Sequence, residues 1–376
     1  MIRTLFIAGA CLRGAGYPNA EQTVVALRNS SAWEIHDFAK WLPEGLHLWR
    51  IARGSWSVRG QLALLLGLGS FWSFCQVLVR AGREDMVYAP YPSVFVLIWC
   101  SLVPSRWRPR VVADAYISMW DSTFRDRLFS RSKPLSKIVR WIEGRALRCA
   151  HRVIVDTEAN KRWMIDAFRL DPSRVVALPL AIDSRPFHGI HRSASIKASL
   201  RVLFIGTLIP LHGLDVIAKA ARLLGPESRI AFHFLGDGQE AEILRKLERE
   251  ADRAEFHWTR EWASPEDLSV ALAAADVCLG VFGGEGKASR VLPFKLYMAM
   301  AAGRPVVTQN LYSLPSDLPA PPWLDVAPRA DELAAALLRL RDSPELRNLM
   351  GEELKEYFND RLSSKSLAQR WAQHIV

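Results

Sequence analysis

Three basic residues lie close together in the second half of the chain. Lys287, Arg290 and Lys295 fall within nine residues of FGGEGKASRVLPFKLYMAMAAG, after a pair of glycines. The small residues that follow predict a closely packed helix, and cations on such a helix need a partner. Guanidinium and ammonium groups at a loop and a helix start can neutralise a diphosphate. The segment therefore predicts a diphosphate clamp, with a solvated basic face as the alternative.

Two glycine turns earlier in the same half could contribute to the same site. RVLFIGTLIPLHGLDVI predicts a strand, a loop and a helix, and FLGDGQEAEIL repeats that plan. The loop before a helix presents free backbone N–H groups and the positive end of the helix dipole, which suit phosphate. Simple turn geometry is the alternative. The candidate donor-binding residues are Gly206, Thr207, His212, Gly213, Gly236, Asp237 and Gly238.

Several other chemistries are excluded by missing motifs. The sequence has no GxGxxG fingerprint and no Walker A loop, which argues against an ordinary NAD enzyme or a P-loop NTPase. It has no HExxH or CxxC spacing and no nucleic-acid-binding motif. The five cysteines are odd in number and far apart, so they predict reduced thiols rather than a disulfide framework.

The elements that must position these residues alternate along the chain. Five short β-rich runs lie between residues 4 and 180 and five more between 201 and 309, with amphipathic helical stretches between them. This order predicts an α/β fold of two Rossmann-like, doubly wound domains facing a cleft. The polar segment 183–200 marks the boundary. We predict domains at 1–185 and 186–355, with a helix at 356–376 packing back toward the first domain.

In the first half, two features follow predicted strands. Asp114 ends the run RVVAD, and Gly14 and Gly16 lie in the loop after TLFIAG. Ligands bind at the carboxyl ends of parallel strands, so both features are expected to face the cleft. A turn or helix-capping role is the alternative for Asp114.

Together these segments resemble the nucleotide-sugar domain of the GT-B glycosyltransferases, specifically the family-four retaining group. The matching motifs are GT-x5-G before a helix, GDG after the next strand, and PxKLYxAMAxGxPVV. The resemblance is strong over 201–308. It is weaker over 1–185, where LPLAID-x3-F is similar to the segment that joins the two domains of that family. It implies an acceptor site in the N-terminal domain, a sugar nucleotide in the C-terminal domain and no required metal or other cofactor.

The chain departs from the family pattern at four positions. Arg290 and Met298 stand where the family has Glu-x7-Glu, and Thr207 and His212 stand where it has loop cations. This predicts a variant subtype in which phosphate neutralisation has moved to the helix start. The resemblance then implies Asp114, Arg290 and Lys295 as catalytic residues, Lys287 and Met298 as donor-binding residues, and Gly14 and Gly16 as an acceptor-side loop.

All of the excess positive charge lies in the first half. Residues 1–185 contain 26 basic and 15 acidic residues, whereas 186–376 contain 23 and 24. Trp and Arg also alternate there, a combination that suits an anionic membrane surface. The residues concerned are Trp33, Trp41, Trp49, Arg50, Arg53, Trp56, Arg59, Arg106, Trp107, Arg108 and Arg110.

Two uncharged stretches, 61–79 and 86–104, are long enough to cross a membrane. Polar residues in the first and prolines in the second favour a different interpretation, a buried helix followed by a buried strand.

The sequence predicts a retaining glycosyltransferase that moves a hexose-type sugar from a nucleotide diphosphate donor. The expected acceptor is a lipid-linked or polysaccharide-precursor saccharide. The expected location is cytoplasmic and peripheral on the inner face of the cell membrane, with no nucleic-acid partner. The alternatives are a catalytically degenerate sugar-nucleotide-binding scaffold of a polysaccharide assembly complex, or a GT-B epimerase.

Overall fold

The computed structural model describes residues 3–14, 17–43, 56–82, 84–126, 132–190, 199–261 and 264–375. The chain forms two compact units, Met1–Ile182 with Ser364–Val376, and Asp183–Ser363. The first boundary lies three residues before the predicted one, and the chain returns to the first unit at Ser364 rather than at residue 356. It returns later because Phe358 and Leu362 are buried side chains of the second unit.

The first unit is built on a six-stranded parallel sheet with the order β3-β1-β5-β6-β7-β8, beside a two-stranded pair, β2 and β4. The strands are β1 (Arg3–Ile7), β2 (Ala10–Cys11), β3 (Trp33–Asp37), β4 (Lys40–Trp41), β5 (Met86–Ala89), β6 (Arg110–Asp114), β7 (Arg152–Val155) and β8 (Val175–Ala177). The helices before the boundary are α1 (Pro18–Arg28), α2 (Trp56–Arg80), α3 (Val94–Leu102), α4 (Lys133–Leu147) and α5 (Glu158–Phe168).

The second unit has a six-stranded parallel sheet with the order β11-β10-β9-β12-β13-β14. Its strands are β9 (Leu200–Ile205), β10 (Ile230–Leu235), β11 (Glu255–Thr259), β12 (Val277–Leu279), β13 (Val306–Gln309) and β14 (Leu324–Val326). Its helices are α6 (Leu214–Leu224), α7 (Ala241–Glu248), α8 (Pro265–Ala274), α9 (Lys287–Arg290), α10 (Phe294–Ala301), α11 (Ala330–Asp342) and α12 (Pro344–Tyr357). The last helix of the chain, α13 (Ser364–His374), belongs to the first unit.

Both sheets are doubly wound, as predicted, because alternate residues of each strand face opposite layers of helices. In β1, Leu5 and Ile7 pack with α1 and α13, whereas Phe6 packs with α2 to α5. Trp371 of α13 is fully buried, with its ring 4.9 Å from that of Tyr88 and nearly perpendicular to it. This contact completes the core on one side of the sheet.

The order of strands sets where loops gather. In the second unit the direction of winding reverses between β9 and β12, and in the first unit it reverses between β1 and β5. At such a point neighbouring loops leave in opposite directions and open a crevice at the carboxyl edge of the sheet. The loops after β9, β10 and β12 are those that carry the predicted donor site.

The prediction of a buried helix over 61–79 is only half right. The segment is helical within α2 and is followed by the buried strand β5, but only 28% of the apolar window in Gly60–Arg80 is buried. Within the described residues this is the one helix that is long and apolar enough to cross a membrane. Its buried face carries Leu66, Phe74 and Val77 together with Ser70 and Ser73, and a second apolar stripe on the other face stays exposed.

The predicted aromatic and basic surface is also revised. Trp33 is a core residue of the first unit, packed with Leu5 and Val24. Trp107, by contrast, is exposed beside Arg106. Residues 44–55 lie outside the described residues, and so do the side chains of Trp56 and Arg59.

Candidate active site

The three predicted donor loops meet at the carboxyl edge of the second sheet and are joined by backbone hydrogen bonds. Leu208 N–H donates to the Asp237 carbonyl at 3.2 Å, and Glu240 N–H donates to the Leu208 carbonyl at 2.8 Å. Phe282 N–H donates to the His212 carbonyl at 3.0 Å. The loops after β9, β10 and β12 therefore form one connected surface, and the predicted strand–loop–helix order of the first two is confirmed.

Close approach of these backbones explains the glycines. Gly213 has a φ of +65°, and a Cβ on it would lie 2.2 Å from the Phe282 carbonyl carbon. A Cβ on Gly236 would lie 2.3 Å from the Gly206 carbonyl oxygen, and one on Gly238 would lie 2.6 Å from the Leu208 nitrogen. No side chain fits at these distances. The predicted glycines thus allow the backbones of the three loops to pack against one another, which is a structural role in the site.

Lys295 is the most unusual side chain in this region. It lies in the first turn of α10, as predicted, and Pro293 forms the N-cap. Its Nζ is buried and has no hydrogen-bond partner among the described residues. It lies 3.7 Å from the centre of the Phe204 ring, and 3.2 Å from where a Cβ of Gly206 would be. Burial in these surroundings lowers the pKa of the Lys295 ammonium well below its ordinary value of 10.5.

His212 is a second neighbour of the same glycine. It ends the 3₁₀ turn Pro210–His212, and its Cε1 would lie 2.9 Å from a Cβ on Gly206. Its ring meets Phe204 edge-on at 5.3 Å. Gly206, with a φ of +151°, therefore has His212 and Lys295 as immediate neighbours, and Thr207 follows it half-buried.

The remaining predicted donor residues flank this pair. Lys287 and Arg290 are the first and last residues of α9, a four-residue turn that packs against the turn holding His212. Both side chains are half-buried. Met298 is buried one turn beyond Lys295 on α10. The Asp237 carboxylate accepts from the Gly238 N–H at 2.8 Å, so it stabilises its own loop.

Two residues of the site escaped the sequence analysis. Phe204, the penultimate residue of β9, provides the ring beneath the Lys295 ammonium. Gln309, at the end of β13, is fully buried and holds Gly284 at both backbone groups, with distances of 2.7 Å and 3.0 Å. The sequence does contain an indication of Gln309, because it is a polar residue at the end of the β-rich run PVVTQ. A polar residue at the carboxyl end of a strand lies at the edge of the sheet where the loops form the site.

In the first unit, Asp114 ends β6 as predicted and is only 1% exposed. Its Oδ2 accepts from Asn19 Nδ2 at 2.7 Å and from the Tyr88 hydroxyl at 3.1 Å. Asn19 Oδ1 in turn accepts from the Ala181 N–H at 2.7 Å. Burial raises the pKa of Asp114 to about 7, although these hydrogen bonds favour the charged form. The carboxylate thus links β6, β5 and α1, and a catalytic role for Asp114 stays a prediction.

The predicted acceptor-side loop is described in part. Gly14 has a φ of +85°, and its carbonyl accepts from the Tyr17 N–H at 3.0 Å, whereas Gly16 lies outside the described residues. Tyr17 stacks on Tyr91 at 5.5 Å, and Tyr91 lies at the same distance from Tyr116. This row of buried tyrosines beside Asp114 was not predicted from the sequence.

Comparison with known proteins agrees with this architecture. Residues 8–181 match a family model described as glycosyl transferase 4-like domain, and residues 199–343 match one described as glycosyl transferases group 1. A crystal structure of Anabaena HepE in complex with UDP is similar along all of this chain and 99% of its own, with 14% identity and a TM-score of 0.62.

Two D-inositol 3-phosphate glycosyltransferases are similar over shorter stretches. The one from Kineococcus radiotolerans is 31% identical over 85 residues, and the one from Geodermatophilus obscurus is 24% identical over 181 residues. These matches span 21% and 45% of this chain, and 20% and 39% of the length of the relatives.

Two doubly wound units with these loops define the GT-B class of glycosyltransferase. Within that class, the chain belongs to the glycosyltransferases that combine a 4-like N-terminal domain with a group 1 C-terminal domain.

Proposed function

We propose that this protein transfers a hexose-type sugar from a nucleotide diphosphate donor, with retention of configuration, to a lipid-linked or polysaccharide-precursor acceptor. The observation that carries the proposal is the buried Lys295 ammonium, which has no hydrogen-bond partner among the described residues. A buried cation without a counter-charge is costly, and an anionic ligand removes that cost. The location of Lys295 beside three glycine loops at the carboxyl edge of the sheet favours a diphosphate as that ligand.

The chemical task of such an enzyme is to stabilise the charge that develops on the leaving diphosphate. Lys295 would meet this charge from the first turn of α10, where the helix dipole adds to the attraction. His212, the other neighbour of Gly206, would donate a hydrogen bond to a phosphate oxygen. Arg290 and Lys287 would approach from α9. We propose that these side chains neutralise the diphosphate without a metal ion or other cofactor.

The similar proteins support the class of donor. The Anabaena structure holds UDP, and the two curated relatives are inositol phosphate glycosyltransferases. Retention is proposed from the resemblance to the family-four group. A cytoplasmic location, peripheral on the inner face of the membrane, is proposed from the charge asymmetry of the chain.

One observation favours a second candidate, a sugar-nucleotide-binding scaffold without turnover. Arg290 and the buried Met298 occupy the positions where the resembled family has its two glutamates, and neither can hold sugar or ribose hydroxyls as a carboxylate does. Binding without catalysis would follow if those contacts are essential.

The test is a panel of UDP-, GDP- and ADP-sugars, in which binding and slow donor hydrolysis are measured separately. We expect one nucleotide to bind and its sugar to be released, with both activities lost in Lys295→Met. Transfer to a saccharide acceptor, followed by NMR of the new anomeric bond, then tests retention. Binding without any hydrolysis or transfer would establish the scaffold, and absence of binding to every nucleotide would refute both candidates.

A further inference from the structure

The exposed apolar side chains of this protein are gathered on one side of the first unit. Of the sixteen large hydrophobic residues that are exposed within the described ranges, twelve lie on α2, α3, α4 and the turn after α3, and four are scattered over the second unit. Large apolar patches on a soluble surface mark an interaction site. The twelve residues, called here the apolar face, are Leu64, Leu68, Phe71, Trp72, Leu78, Val79, Leu102, Trp107, Leu135, Ile138, Trp141 and Ile142.

These residues belong to a single layer of helices. α3 packs against both α2 and α4, and the three helices cover the same side of the sheet. On α2, positions 64, 68, 71 and 78 recur at helical spacing along one stripe. Beside this stripe Trp72 is 68% exposed and Val79 is 85% exposed, so none of the described residues covers this side of α2.

The opposite face of α2 is firmly bound to the domain. Ser73 Oγ accepts from the Gly9 N–H at 2.8 Å, and Ser70 Oγ accepts from the Ala10 N–H at 3.1 Å. The Gly67 carbonyl accepts from Trp99 Nε1 at 2.9 Å. A helix that crossed a bilayer would have to break these buried contacts. The structure therefore favours α2 lying along a surface with its apolar stripe outward.

Helix α4 adds charge to the apolar face. Ile138 and Trp141 are exposed on it, and Trp141 shows 62% of its surface. Its basic residues, with the residue that follows it, are Lys133, Lys137, Arg140, Arg145 and Arg148. Its one acidic residue, Glu143, is buried and accepts from the N–H groups of Met119 and Trp120, so it does not offset them at the surface. Apolar residues flanked by cations characterise helices that lie in the plane of an anionic bilayer.

An open groove of about 640 Å³ lies beside Trp141, between α4 and the end of α5. Four cations line it, Lys137, Arg140, Arg148 and Arg169. Arg140 and Arg148 are held in place by donating to the carbonyls of Ala167 and Phe168, at 2.8 Å and 2.7 Å. None of the four forms an ion pair with an acidic side chain in the described part of the chain. The groove has the charge to receive phosphate headgroups.

We propose that the apolar face docks the protein onto an anionic phospholipid bilayer, with α2 and α4 in the membrane plane and lipid phosphates in the groove beside Trp141. Charge complementarity selects this partner. In a symmetric dimer through the same face, the basic rims of two copies would meet and repel each other. Docking of this kind would bring the enzyme to a lipid-linked acceptor, and its biological role therefore rests on the proposed function.

The test is flotation of the full chain with vesicles of phosphatidylcholine, alone or mixed with phosphatidylglycerol, in the absence of any donor. We expect binding to the anionic vesicles only, weakening steeply as salt is raised. Trp141→Glu and Ile138→Glu should each reduce binding about ten-fold or more. Lys137→Gln and Arg169→Gln should each reduce it about five-fold. Unchanged binding in all four variants would overturn the proposal.

Matched controls come from the second unit. Leu223 on α6 and Val270 on α8 are as exposed as Trp141, so Leu223→Glu and Val270→Glu should leave flotation unchanged. Arg339→Gln is the corresponding control for charge. Circular dichroism and thermal unfolding verify that each variant is folded, and because neither depends on a nucleotide, failure of the donor proposal and failure of this one are distinguishable.

Other occupants of the apolar face would give other results. Binding that resists high salt and carbonate would show that α2 crosses the bilayer and would overturn docking along the surface. Equal binding to neutral and anionic vesicles would show that the cations of the groove do not select anionic lipid, and would overturn that part of the proposal. A dimer in solution that Trp141→Glu dissociates, together with no vesicle binding, would assign the face to a second copy of the chain.

Discussion

The ammonium of Lys295 lies 3.7 Å from the centre of the Phe204 ring, buried and without a hydrogen-bond partner among the described residues. An aromatic face attracts a cation, but it does not replace the hydrogen bonds that an ammonium has in water. Lys295 is thus held in place while its charge is left unsatisfied. A side chain in these surroundings is suited to bind an anionic ligand.

Lys295→Met should make the unliganded protein more stable and abolish its use of the donor. Methionine has a similar volume and removes a buried amino group that has no hydrogen-bond partner among the described residues, which raises the melting temperature by reducing the desolvation cost. Affinity for the nucleotide diphosphate should fall by about 100-fold, the cost of losing a charged contact of about 3 kcal/mol. Thermal unfolding with and without UDP or GDP measures both effects. Lys295→Arg is the control, and a Met variant that still binds normally would contradict the assignment.

Binding of the diphosphate should be accompanied by proton uptake. Burial lowers the pKa of free Lys295, and a diphosphate would raise it again because it favours the ammonium. Affinity for the diphosphate should therefore fall as the pH rises above the pKa that Lys295 has in the unliganded protein. Calorimetry in two buffers of different ionisation enthalpy measures the proton directly. No uptake in the wild type, or the same uptake in Lys295→Met, would assign the titration to another group.

Gly206→Ala should damage the site more than it damages the fold. The new Cβ would lie 2.9 Å from His212 Cε1 and 3.2 Å from Lys295 Nζ, so both side chains would have to move. Gly225→Ala is the matched control, since Gly225 also has a positive φ but a Cβ there meets nothing within 4 Å. Each variant should lose about 1 kcal/mol of stability through backbone strain. Only Gly206→Ala should also lose about ten-fold or more in nucleotide affinity, and equal affinities would argue against this geometry.

Arg290→Ala should slow sugar transfer by about 100-fold if Arg290 meets charge in the transition state. Met298→Ala, on the neighbouring helix, should cost stability through lost packing and change the rate little. Single-turnover transfer at saturating donor separates the chemical step from binding. Similar rates for Arg290→Ala and the wild type would move the role to Lys287 or favour the scaffold.

The first unit should lose stability as the pH rises from about 4 to about 7. Burial raises the pKa of Asp114 from 3.8 and that of Glu143 from 4.5, each to about 7. In this window the folded state binds protons that the unfolded state has released, so unfolding becomes easier with rising pH, by at most about 1.4 kcal/mol per pH unit for each group. Asp114→Asn should flatten the dependence of the melting temperature on pH. The exposed Asp166→Asn should leave it unchanged, and equal profiles for the two variants would contradict the prediction.

The sequence alone was sufficient to predict the class of fold and the location of the donor loops. Strands and helices alternate with clear periodicity, and that order admits few arrangements other than parallel sheets. The turns at Gly206 and Gly236 were found for the same reason, since each follows a strand and precedes a helix. These features depend on residues that are neighbours along the chain, so the order of residue types is enough to predict them.

The tertiary structure alone decided what the individual side chains meet. Lys295 was one of two cations predicted to be catalytic, with Arg290, and only the packing of α10 against the β9 loop buries it over Phe204. The 61–79 segment was apolar enough to suggest burial, but only the face that carries Ser70, Ser73 and Phe74 packs onto the domain, and a second apolar stripe is left exposed. Gln309 became a site residue through contact with a loop 25 residues away. The burial of a side chain and its hydrogen-bond partners depend on contacts between segments that are distant along the chain. The pattern of residue types along the chain therefore does not predict them.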